Sequence, residues 1–313
     1  MLPAEFLGSS KVIIVAGKGG VGKTVVSAAL ASAAADAGLR TLLVEIEGRA
    51  GLASLYGVEP FEYTEVELTT GAGLTIRARS LTANDALLEY LDDHGLRRVS
   101  RRLIHTGALD VVATTAPGIR DILLLAKIKQ LEQAGDFDLI VVDAPAAGHA
   151  ITFLRSAVGL VDSVSGGPVR HQAETVLEML GDSARCQVML VTIPEETPVN
   201  ELVDTAYRLE DEVGVSLAPV VVNARWDAPE GLAAETTPPG IDPEADEALD
   251  DAARFRLDRA RLHAEQINRL GAALPLPQLT LPFLFTTDLG LDGIQVLANA
   301  LTAAIEQVGA VKG

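Results

Sequence analysis

Val12–Thr24 reads VIIVAGKGGVGKT, and this stretch decides the fold. The apolar, β-branched run Val12–Val15 has the character of a buried strand. It feeds a loop holding Gly17, Gly19, Gly20 and Gly22 that closes on Lys23 and Thr24, and a small-residue helical pattern continues to Ala37. Strand, G-x-x-x-x-G-K-[ST] loop and helix in that order form a phosphate cradle. The glycines let the backbone turn tightly with its N–H groups inward, and the helix N-terminus adds positive potential. Gly17, Gly19, Gly20, Val21, Gly22, Lys23, Thr24 and Val25 are therefore the expected contacts for a nucleoside triphosphate. Lys18 is a second loop lysine that phosphate binding alone does not require; on these grounds it reads as a solvated loop residue.

Outward from the loop, apolar runs recur at Thr41–Val44, Leu139–Val142, Val188–Val191, Val220–Val222 and Leu279–Leu281. Continuous runs of this kind suit strands covered on both faces. Helical patterns lie between them at Thr24–Ala37, Ile119–Ala134, Val199–Glu212 and Ala252–Leu270. The alternation predicts a doubly wound α/β fold with a mostly parallel sheet, helical insertions and the ligand at the carboxyl ends of the strands. One domain is expected over residues 1–313. It carries a helical excursion at about 81–118 and an acidic, mobile loop at about 226–251. The arginines Arg97, Arg98, Arg101 and Arg102 read as a solvated helix face.

Composition narrows the function classes. The 313 residues are 48% hydrophobic, and 25 basic against 43 acidic residues leave a net charge of −18. That field opposes nucleic acid and anionic membranes. One cysteine, Cys186, precludes an internal disulfide or a Cys-rich metal site, and reads as an inert core thiol. No run approaches a membrane span, the N-terminus lacks the pattern of a signal peptide, and the C-terminal helix candidate Ile294–Val308 has no basic face. A soluble cytoplasmic protein is expected.

A triphosphate site needs a carboxylate to support Mg²⁺. Asp143, ending LIVVD, stands in position to do so with Thr24. In the following DAPAAGH, Gly148 could bring a backbone N–H to a γ-phosphate, and His149 reads equally as a switch contact or a structural histidine.

These motifs resemble those of the arsenite-pump and tail-anchored-protein-targeting ATPases. The K-G-G-x-G-K-T loop resembles the deviant Walker A form, which implies that Lys18 reaches the phosphates of a facing subunit. DAPAAGHAITFL is similar to the switch II motif D-T-A-P-T-G-H-x-x-R-F-L, with Thr152 in place of the arginine. PGIRD (Pro117–Asp121) approximates P-G-I-D-E. The resemblance implies that Asn223 reads the adenine edge and that Pro282 and Phe283 lie beside the base. VEIEGR, APGIRDILLLAKIK and GGPV bring the chain near a bacterial branch of paired paralogues named for anion transport.

Departures carry equal weight. Where the family has S-T-D-P in switch I, the register places Glu47, expected to align water or touch Mg²⁺, with Glu45 two residues before. Misplacing a positioning group by ~1 Å can cost about 100-fold, so slow hydrolysis is expected. A single cysteine excludes the C-x-x-C zinc dimer site and the metalloid site of the relatives. The expected function is an ATP- and Mg²⁺-dependent dimeric ATPase that switches a two-subunit assembly, with Lys18, Lys23 and Glu47 catalytic. The alternative is a nucleotide-binding regulatory subunit paired with an active paralogue. The sequence identifies no client and does not separate homodimer from heterodimer.

Overall fold

A computed structural model of the chain describes residues 2–47, 50–93, 95–98, 118–228, 231–232 and 243–311. Among these, eight strands form a single sheet: β1 (Val12–Gly17), β2 (Thr41–Ile46), β3 (Val66–Thr69), β4 (Thr75–Leu81), β5 (Leu139–Ala146), β6 (Cys186–Thr192), β7 (Val220–Arg225) and β8 (Gln278–Pro282). The spatial order is β3-β4-β2-β5-β1-β6-β7-β8. Only the edge pair β3–β4 is antiparallel. All six apolar runs are strands, and β1 and β2 are buried along their whole lengths. β3 and β4 were not expected. They lie on the margin, where exposed and buried residues alternate and arginines replace apolar side chains.

Helices cover both faces. On one lie α1 (Pro3–Leu7), α2 (Lys23–Asp36), α3 (Gly51–Tyr56) and α10 (Gly290–Val311); on the other lie α5 (Ile119–Ala134), α6 (Ala147–Ser163), α7 (Pro168–Gly181) and α8 (Glu196–Val213). Helix α4 (Ala83–Asp93) packs on α5, and α9 (Pro243–Ala273) on α8 and β7. Val26–Ala35 of α2 is wholly buried; its alanines and serines let the helix lie close to the sheet and to α10.

The acidic excursion requires a correction. Residues 243–251 are not a loop but the opening turns of α9. Residues 229–230 and 233–242, like Arg101, Arg102 and Pro117, lie outside the described residues. Arg97 and Arg98 are exposed. Cys186 is completely buried, which pushes its thiol up to about 12 and leaves it inert at neutral pH. Among the described residues no helix is long and apolar enough to cross a membrane.

Candidate nucleotide-binding site

β1 is flanked by β5 and β6, and the chain departs from it in both directions across the sheet. The glycine loop therefore opens at the switch point of the topology, where the carboxyl ends of the strands leave a crevice. The glycines have separate reasons. A Cβ on Gly17 would collide with the carbonyl oxygen of Val191 on β6. Gly22 is the N-cap of α2 in a left-handed conformation (φ 88°), and a Cβ there would strike Nδ2 of Asn223.

Asn223, at the end of β7, is 9% exposed and donates from Nδ2 to the Val21 carbonyl at 2.9 Å. It is thus a strut of the loop itself, reached from 202 residues away in sequence. Lys23 leads α2 and donates from Nζ to the Lys18 carbonyl at 3.1 Å, bridging the loop.

Beneath the loop, register alignment sets Glu45 of β2 opposite Asp143 of β5. Asp143 accepts from the Thr24 hydroxyl at 2.8 Å and from the Ser27 hydroxyl at 3.2 Å. Burial pushes its carboxyl above the usual range. The two hydroxyls and Lys23 pull it back, and the nearby Glu45 adds to the rise. A carboxylate destabilised by burial, in reach of a threonine hydroxyl, is an arrangement that a divalent cation relieves, so these residues fit Mg²⁺. Ser27 escaped the sequence reading. Its signal is its i+3 spacing from Thr24, which puts both hydroxyls on one face of α2.

Glu45 is 2% exposed and accepts from the backbone N–H groups of Ala50 and Leu52, both at 3.2 Å. It anchors the start of α3, where Gly51 packs against Thr24. Glu47 points elsewhere: its carboxylate pairs with Arg120 at 3.1 Å, at the start of α5. Glu47 and Ala50 both adopt left-handed conformations (φ 63° and 55°), a costly choice for residues with a Cβ. Lys18 is held by its own chain, with Nζ 2.6 Å from Glu201 on α8. Neither Arg120 nor Glu201 carries a short-range sequence signal for these pairings.

β5 passes directly into α6 at Ala147, which places Gly148 and His149 in the first turn of that helix; their side-chain surroundings lie outside the described residues. Pro282 and Phe283 lie at the end of β8. The Phe283 ring packs on Trp226 at 5.2 Å and on Phe285 at 4.8 Å. This aromatic group stands next to the Asn223 strand, with Phe283 N–H donating to the Arg225 carbonyl at 2.8 Å.

Residues 10–164, the segment carrying the glycine loop and Asp143, match the model of the anion-transporting ATPase family ArsA. The chain belongs to the ArsA-like ATPases. It is 38% identical over 218 residues to the ATPase BagA of Mycobacterium tuberculosis, covering 67% of this chain and 64% of the relative. A Halobacterium salinarum protein named for the arsenical pump-driving ATPases is 26% identical over 321 residues, 96% of this chain and 45% of that protein. The ATPase get3 of Schizosaccharomyces japonicus is 27% identical over 147 residues, 47% and 44% of the two chains. This ArsA-like chain therefore spans less than two thirds of the length of the relatives it matches. The α/β architecture with its mostly parallel sheet is the one expected of the family.

Proposed function

We propose that the chain binds ATP at Gly17–Val25 with Mg²⁺ and hydrolyses it slowly as part of a two-subunit assembly in the cytoplasm. The observation that carries this reading is the Thr24–Asp143 hydrogen bond beneath a glycine loop braced by Asn223. Loop N–H groups and Lys23 hold the β- and γ-phosphates. Thr24 and Asp143 hold Mg²⁺, which when bound neutralises charge on the phosphate oxygens. Gly148, on the first turn of α6, presents its N–H to the γ-phosphate. Asn223 offers its remaining amide functions to the adenine, with Pro282 and Phe283 beside the base.

Lys18 leaves Glu201 to reach the phosphates of the facing subunit, and Glu47 leaves Arg120 to align water. Both pairs are about one-third to one-half exposed, so each departure costs only ~0.2–1 kcal/mol. The partner is a second ATPase subunit, identical or paralogous, acting with it on a protein client; nucleic acid and membrane insertion have no part.

Calorimetric titration with ATP, with and without Mg²⁺, tests the binding step, and phosphate release as a function of protein concentration tests the assembly. Turnover per chain rising with concentration and lost in Lys18→Ala supports the reading; the absence of any heat with adenine nucleotides overturns it. A second reading, a regulatory subunit with little hydrolysis of its own, is favoured by the Glu47–Arg120 pair. In that case phosphate release stays negligible alone and appears only with a paralogue.

A further inference from the structure

Away from the glycine loop, α4, α5 and α7 border a cleft of about 240 Å³. Among the described residues its polar lining is Glu89, Tyr90, Lys127, Lys129, Gln130, Gln133 and Gln172. At ~30 Å³ per water it has room for about eight waters, or for one small organic acid.

Lys127 and Lys129, two residues apart on α5, are only 8% exposed each, and a buried ammonium is costly without a counter-charge. Lys127 has one. It lies 2.7 Å from Glu89 and 3.0 Å from the Gln130 side-chain oxygen, with the Tyr63 ring at 5.9 Å. Tyr63 donates its hydroxyl to the other oxygen of Glu89, so each oxygen of that carboxylate has a partner.

Lys129 differs. Its hydrogen-bond partner among the described residues is a neutral hydroxyl, Thr175 of α7, at 2.6 Å, and Thr175 itself donates to the Gln172 carbonyl at 3.0 Å. Both oxygens of the neighbouring Glu132 accept from one edge of the Arg185 guanidinium, at 3.1 and 2.7 Å. Burial pushes the Lys129 ammonium below its usual range, and Arg185 adds to the fall. Glu178 and Glu132 oppose it from a distance. The cleft thus sets two ammoniums against one carboxylate, ringed by three glutamine amides, in a chain of net charge −18.

We infer that this cleft is a binding site for a small organic or inorganic anion, a carboxylate or phosphate seated on Lys129 with its hydroxyls on the glutamine amides. The anion completes the charge balance that the fold leaves open at Lys129. The inference is independent of the nucleotide reading.

The test uses the full chain carrying Lys23→Ala, which weakens anion binding at the glycine loop, and the Lys129 substitution assigns what binding is left. Malate and inorganic phosphate are titrated calorimetrically, with xylitol as the uncharged control. The expected result is saturable, millimolar or tighter binding of at least one of the two anions and none of xylitol. Lys129→Met should weaken that binding at least tenfold. Gln133→Ala, at an exposed position where folding is not at risk, should weaken it several-fold. Binding of malate but not phosphate, or the reverse, identifies the head group. No saturable heat with either anion up to about 10 mM, a range in which ~3 kcal/mol of binding would register, overturns the inference. So does binding that both substitutions leave unchanged.

Discussion

Replacing Gly22 by alanine isolates the strut that joins β7 to the glycine loop. The residue sits at φ 88°, where an L side chain costs ~1–2 kcal/mol. The added Cβ also lands on Nδ2 of Asn223, so the side chain must swing away and the hydrogen bond to the Val21 carbonyl is lost. That bond contributes ~0.5–1.5 kcal/mol. Gly22→Ala should therefore destabilise the chain by about 1.5–3.5 kcal/mol. In an Asn223→Ala background the obstruction is gone, and the same change should cost only the backbone term, ~1–2 kcal/mol. Urea unfolding of the four proteins closes a double-mutant cycle with an expected coupling of about 1 kcal/mol. Additivity within ~0.3 kcal/mol would refute the claim that Asn223 and Gly22 form one unit. It would leave the strut without an energetic role.

Asp143→Asn should stabilise the ligand-free chain at neutral pH while abolishing any extra protection that Mg²⁺ gives to the ATP-loaded form. Because the folded-state value of Asp143 is raised, the folded chain holds this proton more tightly than the unfolded one. The advantage of the variant should thus grow as pH rises from ~4 through the raised value, then level off; unfolding free energies measured against pH check it. His263 is 2% exposed and accepts the backbone N–H of Trp226 on Nδ1 at 3.1 Å. Burial depresses it below its usual value, assisted by Arg259 and Arg225 and opposed by Glu195. Stability should fall as pH drops below ~6.5, because the unfolded chain takes up the proton first. His263→Gln should flatten that part of the profile; an unchanged slope refutes the assignment.

What could be read from the sequence follows the range of the forces involved. β1, β2, β5, β6, β7 and β8 are legible because each carries a short, mostly apolar run of the kind a sheet covered on both faces requires. β3 and β4 are not, since VELT and TIRARSL carry the alternation and charge of a sheet margin, as many loops do. The acidic opening of α9 hid its helix for the same reason: composition mimicked a solvated loop. In the site, Lys23, Thr24 and Asp143 were legible because the motif fixes their spacing and chemistry. Their supports were not. Glu201 lies 183 residues from Lys18, and Arg120 lies 73 from Glu47. No periodicity links positions so distant, and only the folded sheet brings them together.

Helix α2 leaves its neighbours almost no slack. With ten consecutive residues, Val26–Ala35, buried between sheet and α10, it is wedged like a dowel in a closed joint. The rim of the crevice that it carries is therefore backed by close packing along ten residues. The opposite rim is held differently: left-handed Glu47 and Ala50 bracket the exit from β2, tied by the Glu47 N–H to the Leu81 carbonyl, by Glu45 to the Ala50 and Leu52 N–H groups, and by the half-exposed Arg120–Glu47 pair. One side of the crevice is thus a close-packed apolar wall, and the other is held by polar contacts that water can replace.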